Sequence, residues 1–136
     1  MTDFGPNPYV VDIEKTTLEN QSYRTTVWTG KYMQMTVMAI KPGQDIGLEI
    51  HEDHDQFLRV EQGKARVQMG PAKDNLSFDK EVSDDWVILV PAGQWHNVTN
   101  IGDGDLKVYS LYAPAEHPHG AVHPTRKDAE RAHGHE

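Results

Sequence analysis

Glu49 and His51 stand two residues apart in a short apolar segment, and Gln56 follows after a charged stretch, His51-Glu52-Asp53-His54-Asp55. In a strand, residues two apart share a face with their Cα atoms roughly 6 to 7 Å apart. A carboxylate and an imidazole differ in reach, so Glu49 and His51 on such a face can converge on one ion, each bonding it at about 2 Å. The charged stretch reverses the chain, and Gln56 can then begin the next strand beside them, with Leu58 and Val60 on its face. The same alternation admits an opposite assignment, in which Leu48 and Ile50 are buried and the ionic pair stays in water. His54 competes for the metal role: a His51-x2-His54 pair assisted by Asp53 or Asp55 could bind from a turn. Against it, residues three apart on a strand face opposite sides, and Asp55 is suited to fixing the turn through a side-chain to backbone bond. The chain has no cysteine, so any metal is held by nitrogen and oxygen.

The elements that must position these groups are mostly strands. Tyr23 to Trp28, Tyr32 to Ile40, Ile46 to His51, Gln56 to Val60, Lys64 to Met69, Leu76 to Val82, Trp86 to Val90, Gln94 to Thr99 and Leu106 to Tyr112 are short and β-like, with turn residues between them. That count predicts an antiparallel sandwich or barrel. Trp86 to Val90 is continuously apolar and is expected to be buried on both faces. A short helix is predicted over Arg126 to Ala132, with Thr125 as cap and Asp128 completing a capping box. At 136 residues the chain is long enough for one domain. We take 1–136 as that domain, with a barrel over about 21–113, an arm over 1–20 and a tail over 114–136. A formal charge of −8 disfavours nucleic acid as a partner. The sequence contains no apolar run of membrane-spanning length and its start does not read as a secretory signal, so a cytoplasmic location is expected.

Two spaced patterns sharpen this. The first is Gly43-x5-Glu49-x-His51-x4-Gln56-x6-Gly63 and the second is Asp85-x5-Pro91-x-Gly93-x2-His96-x3-Asn100. Together they resemble the two signature motifs of the cupin superfamily, in particular small single-domain type-2 cupins of the kind called mannose-6-phosphate isomerase-like. The second pattern departs only at Asp85, where a glycine is usual. The resemblance implies an RmlC-like jelly-roll β-barrel, all-β apart from a short C-terminal helix or tail. It also implies one divalent transition metal, Fe, Ni, Mn or Zn, held by Glu49, His51, Gln56 and His96. A typical cupin set is three histidines and one glutamate, so this chain exchanges ligand types while keeping a single negative charge. A divalent ion there would retain a net charge near +1 and act as a Lewis acid. Cupins of this size include dioxygenases, isomerases, lyases and binding or sensing proteins, so fold and ligand set do not select the reaction.

Several further expectations follow. With Glu49 and His51 facing inward, Leu48 and Ile50 face outward and need a cover. A homodimer is expected there, or an amino-terminal arm carrying Tyr9, Val10 and Val11. Met33, Met35 and Met38 are expected to pack in the core. Tyr32, Gln34, Gln68 and Tyr109 are candidates for a polar group near the ion, and Trp95 for packing. His117, His119, His123, His133 and His135 form a His-rich end, better suited to a solvated tail or an arm across the barrel than to a second metal site, because proline and glycine interrupt it.

Overall fold

A computed structural model describes residues 3–133. His135 and the side chain of His133 lie outside the described residues. Eight of the nine predicted segments are strands: β1 (Arg24–Thr29), β2 (Gln34–Ile40), β3 (Asp55–Gln62), β4 (Ala65–Gly70), β5 (Phe78–Val82), β6 (Val87–Val90), β7 (Trp95–Asn100) and β8 (Leu106–Ala113). A two-residue β9 (Val122–His123) and two helices, α1 (Ile13–Glu19) and α2 (Arg126–His133), complete the order. One antiparallel sheet runs β6-β3-β8-β2-β1-β9 and the other β5-β4-β7. This is the jelly-roll expected from the sequence.

Register sets the interior. Gln34, Thr36, Met38 and Ile40 of β2 pair with Tyr112, Ser110, Val108 and Leu106 of β8. Gln56 and Leu58 of β3 pair with the same Tyr112 and Ser110. Each inward file therefore changes from apolar at one end of the barrel to polar at the other. Leu58, Val60, Val98, Leu106 and Val108 are fully buried and close the apolar end, each contributing about 1.5 to 3 kcal/mol by leaving water. The polar end is left for chemistry.

The ninth predicted strand, Ile46 to His51, is not continuous. It meets β7 through isolated bridges, Asp45 with Thr99 and Glu49 with His96. Four steps on one side match three on the other, with Gly47 between them at φ +87°. That extra residue is a bulge. It resets the side-chain parity, so Ile46 enters the core while Glu49 also points inward. Leu48 is left 40% exposed and Ile50 half-buried, which decides between the two assignments open to the sequence.

Other expectations are corrected. Of β6, only Ile88 and Val90 are buried. Val87, Leu89 and the preceding Trp86 are exposed, because β6 is an edge strand with one face outside. Met33 and Met35 lie toward the outer face, and only Met38 is in the core. The amino-terminal arm does not cover Leu48 and Ile50. Asp12 caps α1, which packs on β2, β3 and β8, and Tyr9 and Val11 lie beside Trp28, Met35 and Leu111. Ala129 of α2 joins Ile46 in the core instead. α2 begins as predicted, with Thr125 Oγ1 accepting from Asp128 N at 3.2 Å and Asp128 Oδ2 accepting from Thr125 N at 3.2 Å. Asp85, the departure from the second motif, holds φ +74°, a left-handed conformation that Asp tolerates better than most residues. Asn100 is a staple: its amide donates to Ile40 O and Gly104 O and its oxygen accepts from Gly102 N.

Candidate metal centre

Glu49 and His96 exchange both backbone hydrogen bonds, Glu49 N to His96 O at 3.1 Å and His96 N to Glu49 O at 2.9 Å. Directly paired antiparallel residues project on the same side, so both side chains enter the barrel. His51 is tied in by Gly93 N, which donates to its carbonyl at 2.8 Å. Gly93 has φ +83°, a conformation glycine adopts without strain. Gln56, on the same inward file as Leu58, donates its amide to Ser110 Oγ at 3.1 Å. The four sequence-predicted residues thus all face the polar end.

Glu49 Oε1 lies 3.3 Å from His51 Nε2 and 3.7 Å from His96 Nε2. Atoms sharing one ion at about 2.1 Å sit roughly 3 to 3.5 Å apart, so these spacings fit a common ion with little movement. His96 Nδ1 lies 3.1 Å from Gln94 O. That contact favours a proton on Nδ1 and leaves the Nε2 lone pair facing inward. His51 Nε2, His96 Nε2 and Gln56 Oε1 are buried and make no hydrogen bond of acceptable geometry. Buried polar atoms are rarely left this way, and here they converge with a carboxylate. The donor set fits a divalent cation.

Electrostatics agree. Burial pushes the Glu49 carboxyl upward, but His51 and His96 outweigh it and hold the group well below the usual carboxylate range. For His51, burial works against the charged ring, yet Glu49, Glu116 and Asp53 prevail and raise its pKa. Glu49 is therefore an anion throughout the neutral range.

The structure adds Glu116 and Tyr112, which sequence reasoning missed, and brings in His54, the competitor weighed there. His54 is buried against His51, with ring centroids 4.5 Å apart and planes inclined by 25°. The 51–54 segment is irregular, so strand parity does not apply to it. Glu116, beyond the barrel, places Oε2 2.7 Å from His54 Nε2 and 3.4 Å from His51 Nδ1. Tyr112 is fully buried and meets both rings edge-on, at 6.1 and 6.3 Å. His51, His54 and Glu116 also group closely enough for a metal, but ring geometry argues against one. An imidazole binds along its in-plane lone pair, and two planes stacked at this inclination meet far outside bonding distance. His51 and His96 are tilted by 49°, which is far better suited to a shared ion. Glu116 is suited to orienting the rings, as carboxylates behind metal-bound histidines do. Only a chain-end signal, a glutamate within the predicted tail, could have pointed to it.

Gln34 explains how Glu116 is delivered. It is fully buried; its Oε1 accepts from Glu116 N at 3.1 Å and His117 N at 2.9 Å, and its Nε2 donates to His117 O at 2.7 Å. Of the other polar candidates, Tyr32 is exposed, and Gln68 and Tyr109 are half-buried away from the inward files. Trp95 packs under Lys73. The His-rich end is an arm across the barrel as far as it is described: His117 and His123 are buried, and β9 extends β1. An apolar groove of about 450 Å³ along Met33, Phe57, Leu89 and Leu111 lies outside the barrel, with Asp55 and Gln56 at its border.

A jelly-roll whose polar end carries a His/Glu cluster defines the class: residues 36–112 match the family described as "Cupin domain", and the chain belongs to that family. Cupins commonly bind a metal and small molecules. The chain is 54% identical to YrkC of Bacillus subtilis (strain 168), an uncharacterised protein, over 95% of its own length and 69% of YrkC. It is 39% identical to an uncharacterised protein of Acanthamoeba polyphaga mimivirus, covering 84% of this chain and 70% of the other. A crystal structure of BH2720 from Bacillus halodurans superposes with TM-score 0.95 at 56% identity, covering 96% and 99% of the two chains. KdgF from Halomonas sp. shares the fold, at TM-score 0.61 and 20% identity over 68% of this chain and 78% of KdgF. No helix among the described residues is long and apolar enough to cross a membrane.

Proposed function

We propose that Glu49, His51, His96 and Gln56 hold one divalent transition metal, and that the chain uses this centre as an enzyme, a dioxygenase or an isomerase, on a small organic molecule inside the barrel. The observation that carries the reading is the convergence of unsatisfied, buried His51 Nε2, His96 Nε2 and Gln56 Oε1 on the Glu49 carboxylate. When bound, such an ion supplies Lewis-acid polarisation of a carbonyl, an enolate or water. Glu49 provides the negative charge, His96 arrives with its tautomer favoured by Gln94 O, and Ser110 turns the Gln56 oxygen inward. Tyr112 and the chain at 116–117 shield the polar end from water.

The test is metal content followed by oxygen uptake against catechols, diketones and flavonols. Uptake that requires iron supports the dioxygenase; turnover under nitrogen supports the isomerase. Tight ligand-induced thermal stabilisation without turnover supports the second reading, a binding or sensing cupin, which the family membership alone equally favours.

Glu116→Gln is expected to weaken metal binding by about 10- to 100-fold, the range for partners behind metal-bound histidines. Competition titration against a chromogenic chelator reads this. Unchanged affinity would remove Glu116 from the centre.

The homodimer is retained in this proposal with its interface moved. Leu89, Phe57, Leu111 and Met33 form a mainly apolar strip beside the open edge of β6, with Asp55 at its border. A mainly apolar strip of this kind is a surface that a second copy can cover. Leu89→Asp is expected to convert a dimer to a monomer in sedimentation at micromolar concentration; a wild-type monomer under those conditions contradicts it.

A further inference from the structure

Arg24 takes no part in the proposed ligand set, yet it is buried beside it. It pairs with the inward Met38 across β1 and β2 and is 3% exposed. Burying a guanidinium is costly unless an opposite charge meets it. Among the described residues none does. Glu49 faces His51 and His96, while Asp45 and Glu130 pair with Arg126. Arg24 Nε makes no hydrogen bond. Its polar contact is Nη1 with His123 Nδ1 at 3.4 Å, and its carbon centre lies 5.3 Å from the Tyr23 ring centroid.

Arg24 borders a space. A cavity of about 170 Å³ is lined by Tyr23, Arg24, Leu48, Glu49, Arg126 and Ala129, among others. A cavity of about 150 Å³ accommodates benzene, so this one suits a molecule of about six heavy atoms. Glu49 belongs both to this cavity and to the metal cluster. A molecule held here therefore sits next to the centre.

We infer that Arg24 anchors the carboxylate of a small organic acid in this cavity. The guanidinium fork matches a carboxylate in shape and charge. Asp45 and Glu130 pair with Arg126, so Arg24 is the one lining cation left for a ligand, and the Glu49 carboxylate on the same cavity disfavours a phosphate dianion more than a monoanion. As the ligand class of the proposed centre, the inference rests on the metal reading; as an anion site, it belongs to the metal-free chain.

The experiment uses chelator-treated full-length protein titrated with butyrate, with butyramide as its uncharged isostere and with inorganic phosphate, all at constant ionic strength. Butyrate is expected to bind about tenfold or more tightly than either comparison. Arg24→Met is expected to lose that preference. Its ligand-free melting temperature should equal or exceed wild type, since a buried guanidinium that no carboxylate among the described residues meets has been replaced by an apolar side chain of similar length. The wild-type comparison stands even if the variant does not fold. Equal binding of butyrate and butyramide, preference for phosphate, no butyrate binding, or a lowered ligand-free melting temperature in a folded Arg24→Met protein overturns the inference. Metal uptake is measured on the same samples. Intact uptake without butyrate preference sinks this inference alone; butyrate preference without stoichiometric uptake sinks the metal reading alone.

Discussion

His96→Ala is expected to abolish stoichiometric metal binding, lowering affinity by more than about 100-fold, while the protein stays folded. His96 is fully buried, with Nδ1 at Gln94 O and Nε2 turned toward Glu49. Losing a partner behind a metal-bound histidine costs about 10- to 100-fold, and losing the ligand itself costs more. The fold survives because the bridge between residues 49 and 96 is made by backbone groups that alanine retains. Without the ion, the substitution also removes a group whose nitrogen had no hydrogen bond. The metal-free variant should therefore melt within a few degrees of metal-free wild type, whereas the metal-loaded pair should differ widely, since binding to the native state alone stabilises it. Equal metal affinity in variant and wild type would contradict the ligand assignment.

Asp3→Ala is expected to destabilise the protein by about 2 to 4 kcal/mol. Asp3 is a buried hub near the chain start. Its Oδ1 accepts from Gly5 N and Thr29 N at 3.0 Å each, and its Oδ2 accepts from Thr29 Oγ1 at 2.5 Å and Gly120 N at 3.0 Å. It thereby joins the amino-terminal arm, the end of β1 and the segment that follows Glu116. Alanine would leave those donors without their shared acceptor. Burial pushes the Asp3 carboxyl up, but hydrogen bonds from Thr29, Gly120 and Gly5 prevail and lower it from 3.8. A lowered carboxyl contributes stability above its unfolded value and loses it as pH falls through the folded value. The gap between Asp3→Asn and wild type should therefore be constant from about pH 5 to 7 and shrink below about pH 4. Urea unfolding across that range checks it; a gap that grows as pH falls would contradict the hub.

Much of this was legible because strand period and ligand spacing agree. Gln56, Leu58 and Val60 alternate as a strand with one inward face, and the structure keeps that face. His96, Val98 and Asn100 behave likewise. What strand parity could not yield lies where the backbone leaves the strand. The bulge at Gly47 decides that Glu49 and Ile46 both enter the barrel, and nothing in an alternating pattern announces an inserted residue. His54 was set aside on strand parity, a rule that does not hold in the irregular turn it occupies. Glu116 and Asp3 are tied in by contacts across most of the chain, Glu116 through the anticipated Gln34, and their local neighbourhoods carry no periodic signal. The outward face of β6 misled because a continuous apolar run reads alike for a central strand and for an edge strand with one open face.

We propose one ion among Glu49, His51, Gln56 and His96. Anomalous diffraction from crystals of the metal-loaded protein, collected at the absorption edge of the ion found in it, tests this most directly. One peak per chain is expected, within bonding distance of Glu49 Oε1, His51 Nε2, His96 Nε2 and Gln56 Oε1. A peak between His54 and Glu116, a peak confined to the carboxyl-terminal histidines, or no peak from a protein that retains its ion would contradict it.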